Sequence, residues 1–318
     1  MGIVRKAAKQ REIFIFLIIM AIALGMSIQT PIFYSFGNLS ALLLGVSIEV
    51  IIAVGMANLM ISGGFDMSVG SVLAFSGAIS AMSVKAGAPV ILAVLIGIAI
   101  GLMAGLFNGF VVAKLKINPF VTTLASLSLF RGLTLIVTRG QNVAGLGDSF
   151  NAIGQSVWLG LQSPIWYAVI LVIIGDIVMR NSRFFRQNYY IGGNDKSARL
   201  SGINVDRMTI LNYAIVGILA GIAGVVVTSR MGSASVTQGT GLELRVITST
   251  IIGGASLQGG EGSVLGAFLG SLLMALITNA LNLLGVDVYW HTFVTGATLL
   301  LAVLIDQMGK NRKAKVKA

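Results

Sequence analysis

The chain has no cysteine, a single histidine and few charged residues, and each shortage excludes a class of function. Only 10% of its 318 residues are charged, whereas a soluble domain carries about a quarter. Without cysteine there is no disulfide framework, thiolate nucleophile or cysteine metal site, and one histidine cannot build a histidine-rich metal centre. The motifs G-x-x-x-x-G-K-[ST], H-E-x-x-H and G-x-S-x-G do not occur. We therefore expect no catalytic residue, cofactor or metal site, and no ATP hydrolysis by the chain itself.

Long apolar runs dominate what is present. Hydrophobic residues make up 56% of the chain, and about 20 of them in a row suffice to cross a bilayer. This predicts an all-α polytopic membrane protein with about ten spans, at residues 13–30, 42–62, 67–84, 90–112, 119–137, 164–179, 209–229, 246–255, 263–283 and 291–306. The run 246–255 is short and interrupted by Gly253 and Gly254, so eight spans remain an alternative. One membrane domain, 13–308, lies between basic segments at 1–12 and 309–318.

The distribution of Lys and Arg sets the orientation. Ten spans place both termini and 17 of the 22 basic residues on the cytoplasmic side, as expected because short basic loops resist translocation. The largest cytoplasmic loop, 180–207, holds six of them and is long enough to form short helices. Two polar segments, Arg139–Ser163 and Arg230–Glu243, are expected outside. No basic face is interleaved with aromatic residues, so nucleic acid is not an expected partner, whereas membrane lipid is.

Two glycine-rich segments resemble each other. ISGGFDMSVGSVLA (61–74) and IIGGASLQGGEGSVLGA (251–267) each place paired glycines and a polar turn before Gly-Ser-Val-Leu. Both are predicted to break a helix, near 63–70 and near 253–262, and such breaks often mark a substrate path. Separately, glycines at every fourth position from Gly97 to Gly109 predict close helix packing.

Several polar side chains fall within the predicted spans. Because unpaired polar groups are costly in hydrocarbon, they must face protein or water. The candidates for lining a path for a neutral hydroxylated solute are Asn58, Asp66, Asn108, Asn118, Thr122, Thr123, Ser126 and Asn279. Hydrogen bonding between helices is an equal alternative for each, and Asp66 is also expected to cap a helix through the Ser68 or Val69 amide. Glu49 and Arg131 are expected to snorkel towards the interface in preference to pairing at a gate.

Five collinear segments together resemble a known family. They are IIAVGMANLMISGGFDMSVGSVLAFSGA (51–78), GLFNG (105–109), INPFVTTLASLSLFRGL (117–133), IGGNDKSARLSGINV (191–205) and GTGLELRVITSTIIGGASLQGGEGSVLGA (239–267). These resemble the membrane-spanning permease subunit of bacterial ABC sugar importers, the ribose-type group most closely, over residues 49–306. The resemblance implies two permease chains (identical or paralogous), cytoplasmic ATP-binding cassette subunits and a periplasmic or extracellular sugar-binding protein, in the bacterial inner membrane.

The resemblance also implies a coupling segment. Residues 192–203 match the part of such permeases that docks on the ATPase, with Gly192, Gly193, Asn194, Lys196, Arg199, Leu200, Ser201, Gly202 and Ile203 as its candidate residues. Lys196 and Arg199 offer charge, Leu200 and Ile203 offer an apolar contact, and Gly202 a helix stop. The chain departs from the family at Arg245, usually acidic, and at Glu49, commonly a neutral polar residue. We expect both departures to bear on substrate identity or on binding-protein pairing.

The leading functional hypothesis is a gated pathway, driven by ATP hydrolysis in a partner, that imports a ribose-type or related monosaccharide by alternating access. One alternative is a branched-chain amino-acid ABC permease, which shares the general layout. Another is an ion-coupled secondary carrier, since broken helices together with Glu49 and Arg131 suit one too. Gradient-driven uptake by the chain alone would indicate the carrier, and competition by leucine against sugars separates the other two. A structural or enzymatic membrane protein has no motif in its favour.

Overall fold

The fold consists almost entirely of helices joined by short connections. The computed structural model describes residues 2–317, and side chains for residues 11–304, 306 and 307. The helices are α1 Gly2–Gln29, α2 Phe36–Ile61, α3 Val69–Lys85, α4 Val90–Ala113, α5 Pro119–Thr138, α6 Asp148–Gln155, α7 Ser163–Asn181, α8 Gln187–Gly193, α9 Asp195–Leu200, α10 Val205–Met231, α11 Leu242–Ile252, α12 Val264–Leu283 and α13 Tyr289–Lys317, with a 3-10 turn at Pro31–Tyr34. Four two-residue strands, β1 Val143–Ala144, β2 Val157–Trp158, β3 Leu161–Gln162 and β4 Ser233–Ala234, form the antiparallel pairs β1–β4 and β2–β3.

The predicted membrane architecture is confirmed. Within the described part of the chain, seven helices are long and apolar enough to cross a bilayer, namely α1 from Arg11, α2, α4, α5, α7, α10 and α12. Two shorter apolar helices, α3 and Tyr289–Leu304 of α13, fall on two further predicted spans. The tenth predicted span corresponds to α11, which has 11 residues. Its length is about 17 Å, so this helix alone cannot cross a hydrocarbon core of about 30 Å.

Helix α10 is the central element and packs on α2, α3 and α4. Its contact with α4 runs along the predicted glycine face: a Cβ on Gly101 would overlap the carbonyl oxygen of Gly217, and one on Gly105 would overlap that of Tyr213. The glycines therefore allow backbone-to-backbone packing that a larger residue would block. Beside this contact lies the main apolar core, which includes Ile51 and Met56 of α2.

The two ends of α10 lie in different surroundings. At its first turn, Asp206 accepts hydrogen bonds from Lys114, Lys116 and Arg199, which come from two of the loops predicted to be cytoplasmic. Its far end leads into β4, which pairs with β1 of the segment predicted to be external. A 27-residue helix separates these ends by about 40 Å. The basic loops and the polar segments thus gather at opposite ends, as an even number of spans requires.

Both predicted helix breaks are present. Residues 62–68 between α2 and α3, and 253–263 between α11 and α12, are not helical. One expectation needs correction: Arg230–Glu243 does not lie wholly outside, because Gly239 contacts the backbone at Gly70, at the start of α3. The segment therefore turns back into the helix bundle before α11 begins. Arg131 of α5 holds it there by donating to the carbonyl oxygens of Val236 at 2.7 Å and Gln238 at 3.0 Å.

Candidate translocation and coupling sites

The first break is fixed by a buried polar network around Asp66. The Ser68 amide and hydroxyl donate to Asp66 Oδ1 at 2.7 and 2.6 Å, and Asn108 Nδ2 donates to Oδ2 at 3.2 Å. Asn108 Nδ2 also donates to Ser68 Oγ at 2.9 Å, while its Oδ1 accepts from Ser126 Oγ at 2.6 Å. The predicted acceptance from the Ser68 amide is confirmed. Three of the predicted pathway residues therefore meet at one place, where the break touches α4 and α5.

The other predicted pathway residues are distributed differently. Thr122 lies one turn before Ser126, and its buried hydroxyl finds no partner among the described residues. Thr123 donates to the Pro119 carbonyl within its own helix. Asn118 caps the start of α5, accepting from the Phe120 amide at 2.8 Å. Asn279 of α12 is away from this network and exchanges hydrogen bonds with Asn38 of α2, at 2.7 and 3.2 Å.

Asn58 belongs to a second buried network that the sequence analysis missed. Its amide nitrogen donates to Asn212 Oδ1 at 2.8 Å, and its oxygen accepts from Asn188 Nδ2 at 2.7 Å. Asn212 Nδ2 in turn donates to Asn188 Oδ1 at 2.9 Å and to Ser62 Oγ at 3.1 Å. The cluster ties α2, α8 and α10 together at the entry to the first break. The available signal was Asn212, a polar residue inside the apolar run of α10.

The proposed coupling segment folds into two short helices, α8 and α9. Asn194 caps α9 by accepting from the Ser197 amide at 2.9 Å. The helix ends at Leu200, and after the C-cap Ser201 comes Gly202 with φ +82°, which donates its amide to the Arg199 carbonyl at 3.0 Å. The side chain of Leu200 projects from α9 and is 91% exposed. Ile203, by contrast, is partly buried and packs against the chain's own small cluster of Ile191, Ala198, Val205 and Met208.

Charge at this end is organised around one carboxylate. Asp206 lies 2.8 Å from Arg199, 2.9 Å from Lys116 and 3.3 Å from Lys114, and Arg199 also contacts Asp195 at 3.2 Å. The hydrogen bond to Asp206 raises the pKa of Arg199. One acidic group thus ties the α4–α5 loop to α9, and the site keeps an excess of positive charge.

Helix α8 contacts the end of α2 and the second break at once. The Gly260 amide of the second break donates to the Ile61 carbonyl at the end of α2, at 2.8 Å, and Tyr189 donates to the Gly262 carbonyl at 2.9 Å. Gly192 fits between them, since a Cβ there would overlap both Ile61 O and Gly260 N. We call this meeting of α8, the end of α2 and the second break the inner junction. The sequence did not indicate the contacts of the inner junction, because they join segments that are far apart in the chain.

Glu49 is not the interfacial residue that the sequence suggested, and it pairs with Arg245, the other position at which the chain departs from the family. Glu49 is 8% exposed in the middle of α2, and its Oε2 lies 3.9 Å from Nε of Arg245 in the first turn of α11. The expectation of snorkelling is therefore wrong for Glu49, which is covered by α11 and α12. It is wrong for Arg131 too, because that guanidinium binds backbone carbonyls. Asp176 and Arg180, one turn apart in α7, form an ion pair at 2.6 Å.

Comparison with known proteins adds independent information. Residues 38–303 match the family described as "Branched-chain amino acid transport system / permease component". The chain is 38% identical to a ribose import permease protein of Bacillus subtilis over 96% of its own length and 94% of that protein. It is 37% identical to the ribose import permease protein of Escherichia coli K12, over 94% and 93% of the two chains. Identity to an L-arabinose transport system permease protein of the same strain is also 37%, over 91% and 88%.

Proposed function

Because the chain belongs to this family of transport permeases, we propose that it is the membrane subunit of an ATP-driven importer for a monosaccharide of the ribose or arabinose type. It is a multi-pass protein of the bacterial inner membrane. Its similar relatives are named as ribose and L-arabinose permeases, which favours a sugar over a branched-chain amino acid despite the family's description. Energy comes from a cytoplasmic ATPase and the solute from an extracytoplasmic binding protein, and a second permease chain completes the pathway.

In this proposal the solute passes along the polar network of the first break. Asp66, Asn108 and Ser126 supply both acceptors and donors, which match the hydroxyl groups of a sugar, and the unpartnered Thr122 hydroxyl lies one turn from Ser126. Asn118 and Asn279 take supporting roles, since each is engaged in a helix cap or an interhelical pair. Weak binding suits such a path, because tight binding would slow release.

The observation that carries the proposal is the geometry of α8 and α9. Leu200 offers an almost fully exposed apolar side chain, surrounded by Lys196 and Arg199, as a docking site for the ATPase. Seven residues earlier in the chain, Gly193 ends the helix that contacts the end of α2 through Gly192 and the second break through Tyr189. Movement of the ATPase would thus reach both breaks through one short path of packed residues.

The opposite end suits the binding protein. The β2–β3 hairpin exposes an apolar tip, with Leu159 90% and Trp158 45% exposed, beside α6. The β1–β4 pair joins this region to the segment that turns back into the bundle. We propose that the loaded binding protein docks here and that the re-entrant segment responds to it.

Replacement of Leu200 by alanine tests the coupling role. We expect the affinity of the permease for its ATPase subunits to fall about tenfold, near 1.5 kcal/mol, since a buried apolar anchor at an interface contributes about this much. The matched control is Leu159→Ala at the opposite end, which has the same chemistry and exposure. That variant should leave ATPase binding unchanged and weaken binding-protein docking. Both affinities are measured with the permease in lipid nanodiscs, and equal ATPase affinity for the two variants contradicts the proposal.

A second candidate function, a secondary carrier, is tested in the same system. Vesicles that contain the permease alone receive a proton or sodium gradient and labelled ribose or arabinose. We expect no uptake until the ATPase, the binding protein and ATP are all added. Uptake by the permease alone contradicts the ATP-driven reading.

A further inference from the structure

One ion pair keeps hydrogen-bonding groups for which no described residue supplies a partner. The Arg245 side chain is 46% exposed and, among the described residues, its guanidinium has only Glu49 within ion-pair distance, at 3.9 Å. Glu49 Oε1 is buried and accepts no hydrogen bond from a described residue. The Ser249 and Ser271 hydroxyls lie beside the carboxylate, where Ser249 also donates to the Val246 carbonyl and Ser271 to Ser249 Oγ. Among the described residues, the Arg245 guanidinium therefore keeps free donors beside the Glu49 carboxylate.

The position of the pair within the membrane restricts what it faces. Glu49 is near the middle of the 26-residue helix α2, about 18 Å from its inner end. A half-exposed guanidinium at that depth is strongly unfavourable against hydrocarbon and is found next to water or protein. Surfaces of this chain that suit lipid look different: the exposed face of α7 at the same depth consists of Ile170, Ile173 and Ile174. The face of α2 and α11 that carries Arg245 is therefore not a lipid face.

We propose that Glu49 and Arg245 line the solute pathway and bind hydroxyl groups of an uncharged sugar, an inference that rests on the proposed function. A sugar hydroxyl both donates and accepts, so it can accept from the exposed Arg245 guanidinium and donate to the Glu49 carboxylate beside it. The pair as a whole carries no net charge. It therefore suits a neutral monosaccharide and offers no net attraction to a sugar acid or a sugar phosphate.

Water access is the first test, and the cysteine-free chain provides it without background. Arg245→Cys and, as a control, Ile170→Cys (49% exposed on α7) are each assembled with ATPase and binding protein in vesicles. Both are treated with a charged methanethiosulfonate reagent. We expect the thiol introduced at 245 to react at least about tenfold faster, because the reaction needs a hydrated thiolate. Equal rates at the two positions overturn the inference.

Selectivity is the second test, and its main variant leaves Arg245 in place. Glu49→Gln keeps the side-chain size but leaves a net positive charge, so the pathway should now attract anions. The imported sugar is ribose or arabinose, and its aldonic acid is added on the ATPase side. We expect the acid to inhibit import by E49Q at least about threefold, and to have no effect on the wild type or on the neutral double variant E49Q/R245Q. If E49Q responds no more than the wild type, the pair does not contact the solute.

Failure of this inference is distinguishable from failure of the proposed function. Wild-type import that requires ATP, together with a slowly reacting thiol at position 245, refutes only the role of the ion pair. Wild-type vesicles that import neither ribose nor arabinose with all partners present refute the proposed function itself.

Discussion

Among single residues, Asp66 anchors the first break through three hydrogen bonds. Its carboxylate accepts from the Ser68 amide, the Ser68 hydroxyl and Asn108, and it is 2% exposed. These bonds fix a non-helical segment against α4, where backbone groups would otherwise lack partners. Asp66 is thus both the structural anchor of the first break and the centre of the proposed pathway.

Replacement of Asp66 by alanine should lower the free energy of unfolding by about 2–3 kcal/mol, because it leaves buried donors without an acceptor. Import should be lost as well. The control is Asp287→Ala, at an exposed position where the one hydrogen bond that the carboxylate accepts from a described residue comes from the Tyr289 amide, and its cost should not exceed about 1 kcal/mol. Thermal unfolding in detergent and import in vesicles measure the two effects. Equal stability of the two variants would show that the network around Asp66 is not required.

Glycines 192 and 193 offer a comparison within one helix. A Cβ on Gly192 would overlap the Ile61 carbonyl and the Gly260 amide, whereas one on Gly193 meets nothing within 4 Å. Gly192→Ala should therefore push α8 away from the inner junction and reduce import at least about tenfold, since tightly packed interiors do not absorb an added methyl group. Gly193→Ala should import normally. Transport per ATP hydrolysed, measured for both variants, checks this, and similar values would remove the junction from the mechanism.

The elements of the fold were largely predictable from the sequence, but the contacts between them were not. Apolar runs gave the spans, and the paired glycines gave both breaks, because hydrophobicity and backbone freedom are local properties. The pairing of Glu49 with Arg245, by contrast, joins α2 to α11 across most of the chain. Asn58 was identified as a polar residue, yet its partners Asn188 and Asn212 were not. The return of residues 235–241 into the bundle was missed because a polar, glycine-rich segment reads as an external loop.

For the whole molecule, the separation of basic loops from polar outer segments sets the topology. The sites that should distinguish the two sides are Lys196 in α9 and Ser149 in α6, both exposed. In intact cells, a membrane-impermeant maleimide should modify Ser149→Cys and leave Lys196→Cys unmodified until the membrane is opened. The native chain has no cysteine, so any signal comes from the introduced thiol. Modification at position 196 from outside would show that the orientation is the opposite one, and it would remove the basis for ATPase docking.

The inner junction is also a pivot for two long helices. Helices α3 and α12 follow the two breaks and contain 17 and 20 residues, so they extend about 25 and 30 Å. A rotation of such a helix by about ten degrees about the inner junction moves its far end by roughly 5 Å. Because α8 contacts the residues just before α12 and the end of α2 that leads towards α3, a small displacement of α8 is enlarged at the far ends of both helices.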